Sequence, residues 1–390
     1  LSVHRRHVIY VPGYDPRGVA HYYRLFRGEL ARFSDLHGLT ARVSRPSSQD
    51  EATSTRWTVT TKGTGWEVTT TYELLRWDDV VRADSARGPW TKIARAFAVL
   101  ARFLANGTYA RLAVAHWRFA AFFTYPYVLC LALLFGATLA GGALAALVIA
   151  LGGAAALAAP AGLAAGFAAF VTTMRLTEAR TYMLYLFDDI VSTDEFARGC
   201  RLDWEARLAD FAGQLVAAAQ AAEVDEIVVV GHSSGSFMAV DLMARALERD
   251  PELGRHGPTL SLLTLGSNLP LLGFNPAGRW FHDKLRRVVG ESALTWLDVQ
   301  SRKDVMSFYP FDQAAGHGIS VAASNLRTLS VRFRDVLKPE NYKRFRWRFF
   351  RVHFQYLMAN ERRAAYDYFM MICGPRLLAE VAASPPPAGD

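Results

Sequence analysis

The sequence has little cysteine, and its three residues, Cys130, Cys200 and Cys373, are scattered and odd in number. Such spacing supplies neither a disulfide framework nor a set of metal ligands, and it suits a reducing compartment. Charge is also scarce. Asp, Glu, Lys and Arg make up 21% of the chain against 51% apolar residues, a balance that fits a chain with a membrane segment better than a wholly soluble one. The opening residues, LSVHRRHVIYVPGYDP, lack the apolar run of roughly 7–15 residues that a secretory signal needs. Residues 7–11 read instead as a strand, so the chain is expected to start at a sheet and not to be secreted. No P-loop, Rossmann fingerprint or zinc-ligand spacing occurs, and no cofactor or metal is expected. The basic residues are spread out and match no nucleic-acid-binding motif, so no nucleic-acid partner is expected either.

The longest absence is of charge. Residues 119–174 are 56 in a row without Asp, Glu, Lys, Arg or His. One spanning helix takes about 20 apolar residues, so the run holds two with a turn, placed at the glycines of 151–155. A buried Ala/Gly-rich helical hairpin of a soluble core is the alternative, but soluble helices this long show a polar face. Arg102, Arg111 and Arg118 precede the run, Arg175 and Arg180 follow it, and the turn has no charge. Positive flanks stay cytoplasmic, so both soluble portions are expected inside the cell; the compact sequence without a signal run adds the expectation of a bacterial inner membrane. Trp117, Tyr125 and Tyr127 are placed to act as interfacial anchors. A net charge of +8 favours anionic surfaces in general.

What remains alternates strand and helix. HVIYV is a strand, 20–33 has helical spacing, TARVSR is a strand, and 46–55 is a polar loop. Residues 56–77 alternate as a hairpin around Lys-Gly-Thr-Gly. After the apolar run, 204–222 is an amphipathic helix, EIVVV a buried strand, 235–249 a helix, and LSLLTLGS and ALTWLDVQ two further strands. The tail 384–390, SPPPAGD, reads as disordered. This pattern predicts an α/β fold with a mostly parallel sheet flanked by helices. It places residues 1–118 and 175–383 in one domain, with 119–174 as a two-helix insertion.

Gly231-His232-Ser233-Ser234-Gly235 follows four apolar residues and opens a helical pattern, the strand–turn–helix setting of a G-x-S-x-G nucleophile elbow. Here the chain resembles the α/β-hydrolase superfamily, in particular lipase- and esterase-like serine hydrolases. The resemblance covers the soluble chain in outline, and the elbow is its one specific match. It implies Ser233 as nucleophile, then a downstream acid, then a histidine. Asp304, in the loop after a strand, is the favoured acid, with Asp298 the alternative and Asp312 also in range. His353 is the favoured base over His317, because it follows the β-prone run RFRWRFFRV and precedes a helical stretch. His232 is set aside, since as a neighbour of Ser233 it is expected to point away. The backbone N–H groups of Ser234 and of Tyr14, beside Gly13, are the expected oxyanion hole; the alternative is a plain Pro-Gly turn.

The function expected is a membrane-anchored serine hydrolase of carboxylic esters, with lipid or acyl esters favoured by location. The competing reading is a catalytically silent hydrolase fold serving as a membrane scaffold or partner-binding module. The basic-aromatic stretch 341–351 fits anionic headgroups or a solvated edge strand equally well.

Overall fold

The computed structural model describes residues 3–47 and 53–383. The proposed tail, 384–390, and part of the loop 46–55 lie outside them. Eight strands form one sheet: β1 Arg5–Val11, β2 Thr40–Val43, β3 Ser54–Gly63, β4 Trp66–Leu75, β5 Glu226–His232, β6 Thr259–Leu265, β7 Leu294–Gln300 and β8 Leu326–Ser330. Their spatial order is β2-β3-β4-β1-β5-β6-β7-β8. Strands from β4 through β8 pair in parallel, and only the β2–β3 and β3–β4 pairs are antiparallel.

Burial along each strand follows from this order. β5 is buried at every residue because helices cover both its faces, whereas β3 alternates buried with exposed as a half-covered strand must. The helices used below are α1 Val19–His37, α2 Asp78–Ser85, α3 Pro89–Ala105, α4 Thr108–Ala115, α5 Trp117–Ala150, α6 Ala155–Thr181, α7 Met183–Ala197, α8 Leu202–Gln220 and α9 Gly235–Arg249. Ile9, Val11 and Val229 point to α8 and α9, meeting Phe211, Leu215 and Phe237. Their neighbours Val8, Tyr10 and Val230 point the other way, onto Phe26 and Phe33 of α1.

The apolar run forms α5 and α6, with its turn at 151–154. Both helices are long and apolar enough to cross a membrane, and only 17% of the most apolar window of each is buried, which separates them from core helices. They touch through glycine: a Cβ on Gly166 would lie 3.0 Å from the Ala137 carbonyl oxygen. The lower part of the hairpin belongs to the body. Phe119, Phe123 and Tyr127 of α5 share a core with Ala96 and Phe103 of α3 and Phe187 of α7. Tyr127 is therefore buried, its hydroxyl donating to the Ala96 carbonyl at 3.1 Å, and it is no interfacial anchor. Trp117 is exposed as expected.

The stretch around 341–351 is not a strand. It forms two short helices, Pro339–Phe345 and Phe349–His353. Pro339 opens the first with its fixed φ, and Lys343 and Arg344 sit in its last turn, where cations favour a helix C-terminus. Tertiary contact overrides β-propensity here: Phe349 packs on Phe122 of α5 and Phe350 on Tyr182.

Candidate active site

β5 ends in a turn that lifts one residue out of the sheet. Ser233 has φ +57°, a conformation costing a non-glycine residue about 1–3 kcal/mol. The chain can turn there because its flanking glycines admit close backbone approach. A Cβ on Gly231 would lie 2.8 Å from Ala239 Cβ, and one on Gly235 2.6 Å from the Pro12 carbonyl oxygen. The turn is pinned by Ser233 N–H donating to the Leu265 carbonyl at 3.1 Å and by Ser236 Oγ donating to the Ser233 carbonyl at 2.5 Å. Asn268 Nδ2 donates to Ser233 Oγ at 3.4 Å.

The loop after β1 passes over this turn. A Cβ on Gly13 would come 2.9 Å from Ser233 Cβ, so only glycine lets the loop lie so close. Tyr14 follows, held at both ends: its hydroxyl donates to Asp84 of α2 at 3.0 Å, and its carbonyl accepts from the hydroxyl of Tyr185 on α7. Among the described residues, the N–H groups of Tyr14 and Ser234 donate to no backbone carbonyl.

Asp304 and His353 meet although 49 positions separate them. His353 Nδ1 lies 2.7 Å from Asp304 Oδ2, with both side chains buried. Burial alone would raise the Asp304 carboxyl. The charge of His353, its hydrogen bond and the Met306 N–H outweigh that and hold it below the usual carboxylate range. Gly266, at φ +54° after β6, makes room for the pair, since a Cβ there would lie 3.0 Å from His353 Cε1 and 3.1 Å from Asp304 Oδ2. His353 Nε2 is buried without a hydrogen-bond partner among the described residues. It shares with Ser233 a cavity of about 460 Å³, closed by Tyr22, Tyr182, Tyr185, Phe350 and Phe354.

The other sequence candidates lie elsewhere. Asp298 is buried within the sheet and accepts from Thr264 Oγ1, Gln300 Nε2 and Gln313 Nε2 at 2.5, 2.7 and 3.1 Å. Asp312 caps the N–H groups of Ala314 and Ala315. His317 bonds through Nδ1 to the Gln313 carbonyl at 2.8 Å, and burial pushes its pKa down to about 4. His353 ends a short helix, not a strand. His232 does not point away: its Nε2 lies 3.1 Å from the His353 carbonyl oxygen, and the two rings sit 4.6 Å apart. Burial, then the neighbouring His353 charge, pushes its pKa down to about 3, so it stays neutral beside His353.

Asp189 of α7 was not legible in the sequence. It lines the cavity and accepts from Ser234 Oγ at 3.1 Å, and burial pushes its pKa up to about 7. The signal available was FDDIV, two acids in an otherwise apolar helical stretch.

A carboxylate on Nδ1 fixes the tautomer that leaves Nε2 free to take a proton, and a serine hydroxyl in the same cavity is the group such a base can activate. No protein-family model matches the chain, and neither the curated proteins nor the solved structures gave a match to it.

Proposed function

We propose that the chain is a membrane-anchored serine hydrolase of the α/β-hydrolase type, cleaving carboxylic esters. The observation that carries this reading is the Asp304–His353 pair, its Nε2 free, on the cavity that also holds Ser233 in a left-handed turn. In the reaction, His353 Nε2 takes the Ser233 proton as Oγ bonds to the ester carbon. The Tyr14 and Ser234 N–H groups bind the resulting oxyanion, and His353 returns the proton to the departing alcohol. Water, deprotonated by the same nitrogen, then bonds to the acyl carbon, and His353 passes that proton to Ser233 Oγ as the acyl–Oγ bond breaks and the acid leaves. Asp304 stays ionised throughout and steadies the imidazolium.

The anchor is α5 and α6, whose body-side ends carry Arg118, Arg175 and Arg180. Cytoplasmic placement of the body follows from those charges. Tyr182, at the C-terminal end of α6, lines the cavity, so ester lipids of the same bilayer are the substrates at highest local concentration.

One observation favours the silent scaffold: Ser233 Oγ accepts a hydrogen bond from Asn268 Nδ2 and donates none to His353 Nε2 among the described residues. Hydrolysis of a graded series of acyl esters by detergent-solubilised protein separates the two readings. His353→Ala is expected to remove nearly all turnover and His317→Ala to leave most of it. Absence of turnover in the folded native protein, or the reverse pattern in the variants, would contradict the proposal.

A further inference from the structure

The wall of the cavity formed by α7 is unlike the rest. Tyr185 and Asp189 are four residues apart and share one face of α7, and Tyr182, in a left-handed turn just before the helix, stands beside Tyr185 with the ring centroids 6.3 Å apart. That face is turned to the cavity, where Phe350 closes on it, its ring centroid 4.3 Å from Tyr182 and 5.9 Å from Tyr185. Among the described residues, Asp189 makes no ion pair; its hydrogen-bond partner is the neutral Ser234 hydroxyl. The other carboxylate on the cavity, Asp15, is already held by Arg17 through three side-chain bonds of 2.9, 3.0 and 2.6 Å.

We propose that Tyr182, Tyr185, Phe350 and Asp189 form a subsite for an ammonium group, so that the preferred esters carry a primary or quaternary amine near the scissile bond. Aromatic faces attract a cation by about 0.5–2 kcal/mol, the larger value where water is excluded. A carboxylate without a counter-charge supplies the rest. Burial is what raises the pKa of Asp189, and the Ser234 hydrogen bond and the charge of His353 offset it only in part. Arg351, also on the cavity, is engaged away from this wall: Nη1 donates to Gln355, and its guanidinium lies over Phe345. This inference rests on the hydrolase reading for the word substrate, but not for the site itself.

The test compares choline with 3,3-dimethylbutanol, which has the same shape without the charge, as ligands of the full chain in detergent, read by calorimetry. Choline is expected to bind about tenfold more tightly, equivalent to about 1.4 kcal/mol. Asp189→Asn keeps an acceptor for Ser234 and is expected to remove the difference. Tyr182→Ala, on the rim and clear of Ser234, is expected to reduce it. Equal binding of the two alcohols, or a difference that survives Asp189→Asn, overturns the proposal. The butyrate esters of the same two alcohols add a second readout. Equal kcat/KM would sink the subsite while leaving the hydrolase intact, whereas selective choline binding with neither ester cleaved would sustain the subsite and remove the hydrolase.

Discussion

At the scale of residues, two aspartates from one short segment have opposite fates. Asp298 is spent on three donors inside the sheet, and Asp304, in the loop beyond β7, reaches His353. Asp304→Asn removes the charge that steadies the imidazolium and lets the amide N–H donate to Nδ1, which fixes the wrong tautomer, so turnover is expected to fall by about 10⁴. Asp298→Asn leaves His353 untouched, so most turnover should survive while denaturant unfolding shows a loss of about 1–3 kcal/mol. Asp189 gives a pH prediction with a definite sign. Its folded pKa, about 7, is above the ordinary carboxylate value, so its ionisation opposes folding as pH rises. The stability gained by Asp189→Asn should therefore grow from the ordinary carboxylate range up to about pH 7 and level off above it. A gain that shrank with rising pH in thermal melts would contradict this.

At the scale of elements, what could be read from the sequence was what local pattern decides. The buried strand β5, the glycines around Ser233 and the helix from Gly235 carry their own signals, as does the uncharged run that forms α5 and α6. What could not be read depends on distant packing. The aromatic run before His353 folds as short helices because Phe349 and Phe350 dock on the base of the hairpin. His232 meets His353 because the helix ending at His353 carries that carbonyl over the elbow. Gly266 matters because three side chains from later in the chain, Asp304, His353 and Tyr356, settle against it. The loop after β1 offers a test at this scale. Gly13→Ala adds a Cβ facing Ser233 Cβ at 2.9 Å and the His232 carbonyl at 3.1 Å, which must push the Tyr14 N–H off the elbow. Turnover should fall by about 10²–10³, the cost of losing one oxyanion donor, with circular dichroism unchanged. Unchanged turnover would remove Tyr14 from the oxyanion hole.

At the scale of the whole molecule, the hairpin is a graft whose root is part of the trunk. Phe119, Phe123, Tyr127 and Met174 lie in the core shared with α3 and α7, so deleting 119–174 should destroy the fold, not release a soluble domain. Ala137 and Gly166 touch, and replacing 138–165 by a short Gly-Ser turn keeps that core. Such a protein should leave washed membranes far more readily than the native chain and keep the esterase turnover proposed for it. Retention on the membrane would shift the anchoring role to the body, whose α3 also exposes Trp90 and Leu104.

The central claim is that the Ser233 hydroxyl is made nucleophilic by His353. Its most direct measurement is labelling of the native protein with a fluorophosphonate, followed by peptide mapping of the adduct. The account predicts one adduct, on Ser233, absent from Ser233→Ala and nearly absent from His353→Ala. An adduct on another residue, or labelling of Ser233 that persists undiminished in His353→Ala, would contradict it.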